Sequence, residues 1–258
     1  NELLPPSGPV RTVVMGKETA AKTAQAQRVK QFMNYYIGNV MEEYTPDMDQ
    51  MLFFLPLAGS TFKKTYYDET LGRAVSKFVP AENLVVPYST TDLETCPNIT
   101  QVVRMPLNDL RKRQVAGVYL DVEVIPSQSE LTSLSGEIDR IEGQDANQID
   151  YDCTILECHV DLDLEGYEDL DEEGEETGIK VPYVVTISED NGQILSIRRN
   201  YREDDELRKK IHYFTHFKFL PGFGFYGLGL IHTIGGLSRT ATSALRQLID
   251  AGTLSNLP

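Results

Sequence analysis

Gly222-Phe-Gly224-Phe-Tyr-Gly227 spells G-x-G-x-x-G, the spacing that lets bare backbone approach a pyrophosphate between a strand and a helix. A strand-like alternation precedes it and a helical stripe follows. Two features argue against a dinucleotide site. Phe223, Phe225 and Tyr226 crowd the turn that a ligand must approach, and Asp250 lies on the helix instead of ending a following strand, where the ribose-binding acid belongs. Cys153, Cys158 and His159 invite a metal reading. Alternation over Tyr151 to Leu164 puts Cys153 and His159 on one face and Cys158 on the other, whereas zinc needs four convergent ligands. The histidines are His159, His212, His216 and His232, and none stands beside a nucleophile and an orienting group. His159 shares its strand face with Asp161 and Asp163 and reads as part of an exposed polar face. Gly16-Lys17-Glu18 lacks the rest of a phosphate loop, and neither H-E-x-x-H nor G-x-S-x-G occurs. The residues thus nominate no catalytic, cofactor-binding or metal-binding position, and the chain is expected not to be an enzyme.

The elements around the glycine corner explain it better as structure. Thr215, Phe217 and Phe219 alternate with His216, Lys218 and Leu220, the period of a strand, until Pro221 removes a ladder donor. Gly222, Gly224, Gly227 and Gly229 are expected to form a hinge that lets the chain bend where side chains would collide. From Leu237 the period turns helical. Leu237, Ala241, Ala244, Leu245, Leu248 and Ile249 form one apolar stripe, and Gly252 is placed to cap the helix. Arg239 and Arg246 lie seven apart on the opposite side and read as solvated charges.

Upstream, Val29, Phe32, Met33, Tyr36, Ile37, Val40, Met41 and Tyr44 predict the core face of a long helix starting near Thr19. Thr45-Pro46-Asp47 is expected to break it, with Asp47 capping a second helix that Pro56 closes. The pair reads as a helical hairpin laid on a sheet. Thr61 to Tyr67 and Ala74 to Val79 form a hairpin. Leu84 to Tyr88, Ile99 to Met105, Tyr151 to Leu164, Lys180 to Ser188 and Gln193 to Asn200 are further strands, with a helix from Pro106 to about Ala116. Leu131, Leu134, Ile138 and Ile141 allow another helix. Asn191-Gly192 predicts a type I′ turn. The acids crowded between Asp161 and Glu176 lack the register of a calcium loop and read as a solvated, self-repelling hairpin tip at about 163–178.

The 258 residues carry a net charge of −15, which disfavours holding nucleic acid by phosphate neutralisation but suits a wall that a polyanion must slide past. Three cysteines, an odd and sparse set, favour free thiols. No apolar run approaches the roughly 20 residues that span a bilayer. A chain that opens at Asn1 without a signal peptide and stops at Pro258 after a helix reads as a piece of a longer protein.

Phe53-Phe-Leu-Pro-Leu-Ala-Gly-Ser-Thr-Phe-Lys-Lys, Phe78-Val-Pro-Ala-Glu-Asn-Leu-Val-Val, Ile197-Arg-Arg-Asn-Tyr-Arg-Glu-Asp-Asp, Gly224-Phe-Tyr-Gly-Leu-Gly-Leu-Ile-His and Leu245-Arg-Gln-Leu-Ile-Asp-Ala-Gly-Thr-Leu together resemble the portal, or head-to-tail connector, proteins of tailed bacteriophages. The resemblance implies an α+β fold: a mixed, antiparallel β-rich wing domain with covering helices, followed by a long protruding stem helix. It implies an N-terminal arm at 1–18, a wing at 19–229 and a stem segment at 230–258. It further implies a structural virion protein without cofactor, a subunit of a dodecameric ring at one capsid vertex through which double-stranded DNA is packaged and ejected. Implied partners are further copies of the chain, major capsid and scaffolding proteins, the terminase large subunit, head-completion and tail proteins, and DNA in transit, but no membrane. In such a ring Arg239 and Arg246 would meet acids of an adjacent subunit or touch DNA phosphate. Assembly would take place in the host cytoplasm. A virion adaptor or tail protein, and a nucleotide-binding enzyme using the Gly222–Gly229 corner, are the competing readings.

Overall fold

A computed structural model of the chain describes residues 5, 7–124, 152–166, 168–169 and 176–255. In chain order its elements are α1 (Ala20–Tyr35), a π turn (Tyr36–Val40), α2 (Tyr44–Ala58), β1 (Ser60–Asp68), β2 (Arg73–Pro80), a 3-10 turn (Ala81–Asn83), β3 (Leu84–Val85), β4 (Asn98–Pro106), α3 (Leu107–Val115), β5 (Asp152–Leu162), β6 (Val181–Ser188), β7 (Ile194–Arg199), β8 (Phe214–Lys218) and α4 (Leu230–Ser255). All strand pairs are antiparallel, so the fold is α+β. The chain divides into two units: Asn1–Ala81 with Tyr213–Pro258, and Glu82–His212.

The first unit is built on a three-stranded sheet in the order β2-β1-β8. Thr19 caps α1, its hydroxyl accepting from Lys22 N at 3.4 Å. The expected core face of this helix does not form: α1 buries no side chain, and only Met41 of the eight stripe residues is buried. The π turn explains the difference. Its wider winding takes the stripe of Val29, Phe32 and Met33 out of phase with the Met41 side, which packs inward. α2 begins at Tyr44, so Thr45 and Pro46 lie in its first turn, where proline is tolerated. Pro56 sits inside the helix, which ends instead at Gly59 in the left-handed conformation, φ 86°.

Asp47 does not cap α2; its carboxylate accepts the Phe78 amide at 2.7 Å. Glu43 accepts from Ser76 N at 3.3 Å and the Tyr36 hydroxyl accepts from Ala74 N at 2.9 Å. Side chains from the helices thus occupy alternate amides along the outer edge of β2, a common defence against stray strand pairing. Burial works to raise the Glu43 pKa, but hydrogen bonds from backbone amides and from Arg73, whose guanidinium lies 2.7 Å away, outweigh it and hold the carboxyl below its usual range.

The second unit is a five-stranded sheet in the order β3-β4-β5-β6-β7. One face packs Met105, Cys153, Ile155 and Leu195 against Leu110 of α3 and against Tyr119 and Val124 of the chain that follows. Gln114 holds that return through Leu120 O at 3.1 Å and Val122 O at 2.8 Å. The other face packs Val181, Tyr183 and Val185 with Leu162, Leu164 and Tyr201. Because both faces are covered, β6 is almost wholly buried.

The type I′ turn is not what joins β6 to β7. Gly192 alone takes a positive φ, 66°, whereas that turn needs one at both central residues. The Asn191 side chain is clamped instead, donating to Glu123 O at 2.8 Å and accepting from Gln193 N at 3.2 Å, and a bulge at Thr186/Ile187 absorbs the longer loop. The helix suggested by Leu131 to Ile141 lies outside the described residues, as does the tip of the acidic hairpin. At the hairpin's base Asp169 is not solvated: it is buried, pairs with Arg208 and accepts from the Thr177 hydroxyl at 2.8 Å.

Candidate functional site

Within the first unit, the chain leaving β8 doubles back at the glycine corner, where Leu228 N donates to Leu220 O at 2.8 Å. The corner docks on the end of α2. Phe219 N donates to Gly59 O at 3.0 Å, and a Cβ on Gly227 would lie 2.5 Å from that same carbonyl oxygen. A Cβ on Gly229 would lie 2.6 Å from Gly59 N and strike Leu57 O, and one on Gly222 would strike Tyr226 O. Gly224 has nothing within 4 Å. These four glycines avoid positive φ, so three of them are required by close backbone approach and not by a special conformation.

Ser60 ties the corner down. Its hydroxyl accepts the Gly227 amide at 2.7 Å and lies 3.1 Å from His216 Nε2. The imidazole packs against both Phe62 and Phe225, with ring centroids 4.4 and 4.7 Å away, and the two phenyl rings also meet each other. Burial, helped by the nearby Lys218 charge, lowers its pKa to about 4. His216 is therefore neutral at pH 7, and the donor in its hydrogen bond with Ser60 is set by which ring nitrogen carries the proton. At the head of α4, Gly229 N donates to His232 Nδ1 at 3.1 Å, a capping-box arrangement with histidine in the usual acidic place.

This geometry leaves no cradle for a pyrophosphate. The space beside Gly222, Gly227 and Gly229 is filled by carbonyl oxygens of the protein itself, and the amides of Gly227 and Gly229 already donate to Ser60 and His232. Ser60 is also buried, which removes it from reach as a nucleophile.

No protein-family model matches this chain, and no curated protein matches it in sequence.

Beyond the corner, α4 runs for 26 residues. From Gly236 to Thr253 every side chain on it is exposed, including Leu237 at 72% and Leu248 at 69%. Arg239 and Arg246 are exposed too, and among the described residues no ion pair holds them. The corner and the two arginines are therefore joined only through the helix. Among the described residues no helix is long and apolar enough to cross a membrane, and no group of His, Cys, Asp and Glu could hold a metal ion.

His159 corrects the sequence reading most sharply. It is 2% exposed, with Nε2 2.8 Å from Glu157 Oε1, on the sheet face that also carries Arg198. Lys210 closes over the end of that face, its ammonium 3.1 Å from Cys96 O, 3.4 Å from Pro97 O and 3.5 Å from His159 O. This is a largely buried polar network that ties the 201–212 loop to the sheet. Gly59, Ser60, His216 and His232 were the participants that pattern reasoning missed. Only the Gly59-Ser60 pair after an apolar helix end offered a signal, that of a left-handed cap.

Proposed function

We propose that this protein is a structural subunit of a ring-shaped virion connector, the portal through which double-stranded DNA enters and leaves a phage capsid. The observation that carries the reading is α4: a helix whose apolar stripe, from Leu237 to Ile249, is exposed and has no partner among the described residues. Soluble monomers rarely leave a contiguous apolar patch of more than a few hundred Å² open to water, and such patches mark association surfaces. The corner supports the same reading, because interlocked backbone at Gly59, Gly227 and Gly229 sets the direction in which α4 leaves the sheet. The resemblance in sequence to portal proteins supplies the identity of the assembly, and the net charge of −15 suits a conduit that does not retain DNA.

Native mass spectrometry with negative-stain imaging of the chain tests this. Closed rings of uniform subunit number are expected. Stable monomers at the highest soluble concentration would favour an adaptor instead, and tight binding of a nucleotide at the corner would favour an enzyme.

A further inference from the structure

Prolines at 5, 6 and 9 stiffen the arm ahead of α1, and a stiff extended segment loses little freedom when it docks. The structure lays this arm along α1. Burial alternates on it: Gly8, Val10, Thr12 and Val14 are half-buried, while Pro9, Arg11, Val13 and Met15 are exposed. Within α1 only Ala26, Lys30 and Asn34 are half-buried, spaced i, i+4 and i+8 on one stripe. The two stripes meet. The Asn34 side chain accepts from Val10 N at 2.9 Å and donates to Val10 O at 3.1 Å, as a neighbouring strand would. The Thr12 hydroxyl donates to Ala26 O at 2.9 Å. Gly8, at φ 88°, passes so close that a Cβ there would strike the Asn34 carboxamide.

The α1 stripe therefore reads backbone, with glycine required two residues before the doubly bonded position and a hydroxyl two after it. We infer that it is a docking groove for an extended peptide of this pattern, and that its partner in the assembled protein is the arm of a neighbouring copy, exchanged for the chain's own. This rests on the ring reading above and names the segment that passes between subunits.

Three observations point to exchange. Every copy carries the pattern, so an arm from another chain makes the same bonds and needs no new fit. The attachment is light: three described hydrogen bonds and side chains that are only half-buried, the kind of contact that opens locally well before the fold does. The segment between Thr12 and the cap at Thr19 is a ready hinge, with Val13 85% and Met15 90% exposed and Gly16 at φ 85° with nothing within 4 Å. Straightened, its six residues reach about 20 Å. With equal contacts in either place, local concentration decides, and adjacent subunits of a ring supply it.

Cysteine pairing in the full chain tests this. Ser7 and Gln31 line one cleft of about 450 Å³, so Ser7→Cys and Gln31→Cys bring thiols together wherever an arm is docked. The double variant is the control: a short bis-maleimide is expected to link it, within a chain or between chains, as read by peptide mass spectrometry. The two single variants are then co-expressed. A covalent dimer of one with the other is expected at least tenfold above the level from either alone, which reports the background from the half-buried native Cys158. Asn34→Leu, added to both, removes the bonds to Val10 but keeps a good helix former, so the dimer should fall at least tenfold with unchanged far-UV circular dichroism. Rings without the mixed dimer would overturn the exchange and leave the ring reading standing; a mixed dimer without rings would do the reverse. Neither rings nor dimer would sink both. A double variant that fails to link, or a dimer indifferent to Asn34→Leu, would show that the stripe does not read the arm.

Discussion

The Ser60 hydroxyl receives the Gly227 amide at 2.7 Å, joining positions 167 residues apart in sequence. The first residue of β1 thereby holds the corner from which α4 departs, and the same oxygen meets His216 at 3.1 Å. Replacing Ser60 by alanine leaves a buried amide and an imidazole without their partner. A loss of about 1–3 kcal/mol in unfolding free energy is expected, the usual penalty for an orphaned buried donor. Urea denaturation followed by tyrosine fluorescence measures it, and an unchanged midpoint would show that the bond contributes nothing.

Glycine requirements in the corner differ by position. Gly229→Ala forces a methyl group against Leu57 O and Gly59 N, whereas Gly224→Ala places one in open space. Alanine at 229 should destabilise by about 1–3 kcal/mol or shift the head of α4, while alanine at 224 should be close to neutral. Gly227→Val meets Gly59 O and Leu220 O and is expected to abolish ring formation. Thermal melts of the alanine pair and particle imaging of the valine variant report the outcomes; equal melting of the alanine variants would refute the close-approach account.

His216 should make the first unit sensitive to acid. Unfolded histidine titrates near 6.5, while in the fold the value is about 4. A base with a lowered folded pKa favours folding in its neutral form. Its contribution is complete above about pH 6.5, declines as pH falls, and is gone below about pH 4. Partial exposure screens the effect, so about 1–2 kcal/mol is expected. The test is urea titration at several pH values on the parent and on His216→Gln. The variant should show a flatter decline across this window; parallel curves would assign the acid sensitivity elsewhere.

Strands and helices were legible wherever period and turn chemistry agreed. The β1–β2 hairpin across Asp68 to Gly72, the long β5 and the start of α1 at Thr19 all stand within a residue or two of their expected places. Errors arose where tertiary contacts decide. Periodicity found the α1 stripe but not its exposure, because a π turn is invisible to a 3.6-residue pattern. The strand alternation placed His159 and Cys153 on one face correctly, yet whether that face is wet depends on α3 and on Lys210, more than 40 residues away on either side. The corner glycines stood out from their number alone. Their partner, Gly59, did not, since the steric conflict belongs to a pair of backbones distant in sequence.

The seal on β2 gives the last prediction. Tyr36 of the π turn, Glu43 just ahead of α2 and Asp47 of its first turn offer side-chain oxygens that take the amides of Ala74, Ser76 and Phe78 in turn. Each acceptor satisfies one outward-facing amide, so removing one should expose that position without melting the sheet, whose inner ladder to β1 remains. Asp47→Ala is expected to speed hydrogen exchange at Phe78 by roughly tenfold while Ala74 keeps its protection, corresponding to a loss of about 1–1.5 kcal/mol from one charge-assisted bond. Glu43→Gln should act at Ser76 and also weaken the tie to Arg73. Because the Glu43 pKa is lowered in the fold, that tie contributes above the ordinary carboxylate range and is lost as pH falls through the folded value. Amide-resolved exchange separates the three positions. Uniform acceleration along β2 in Asp47→Ala would mean that the side chains hold the strand as a unit, and the account of separate caps would be wrong.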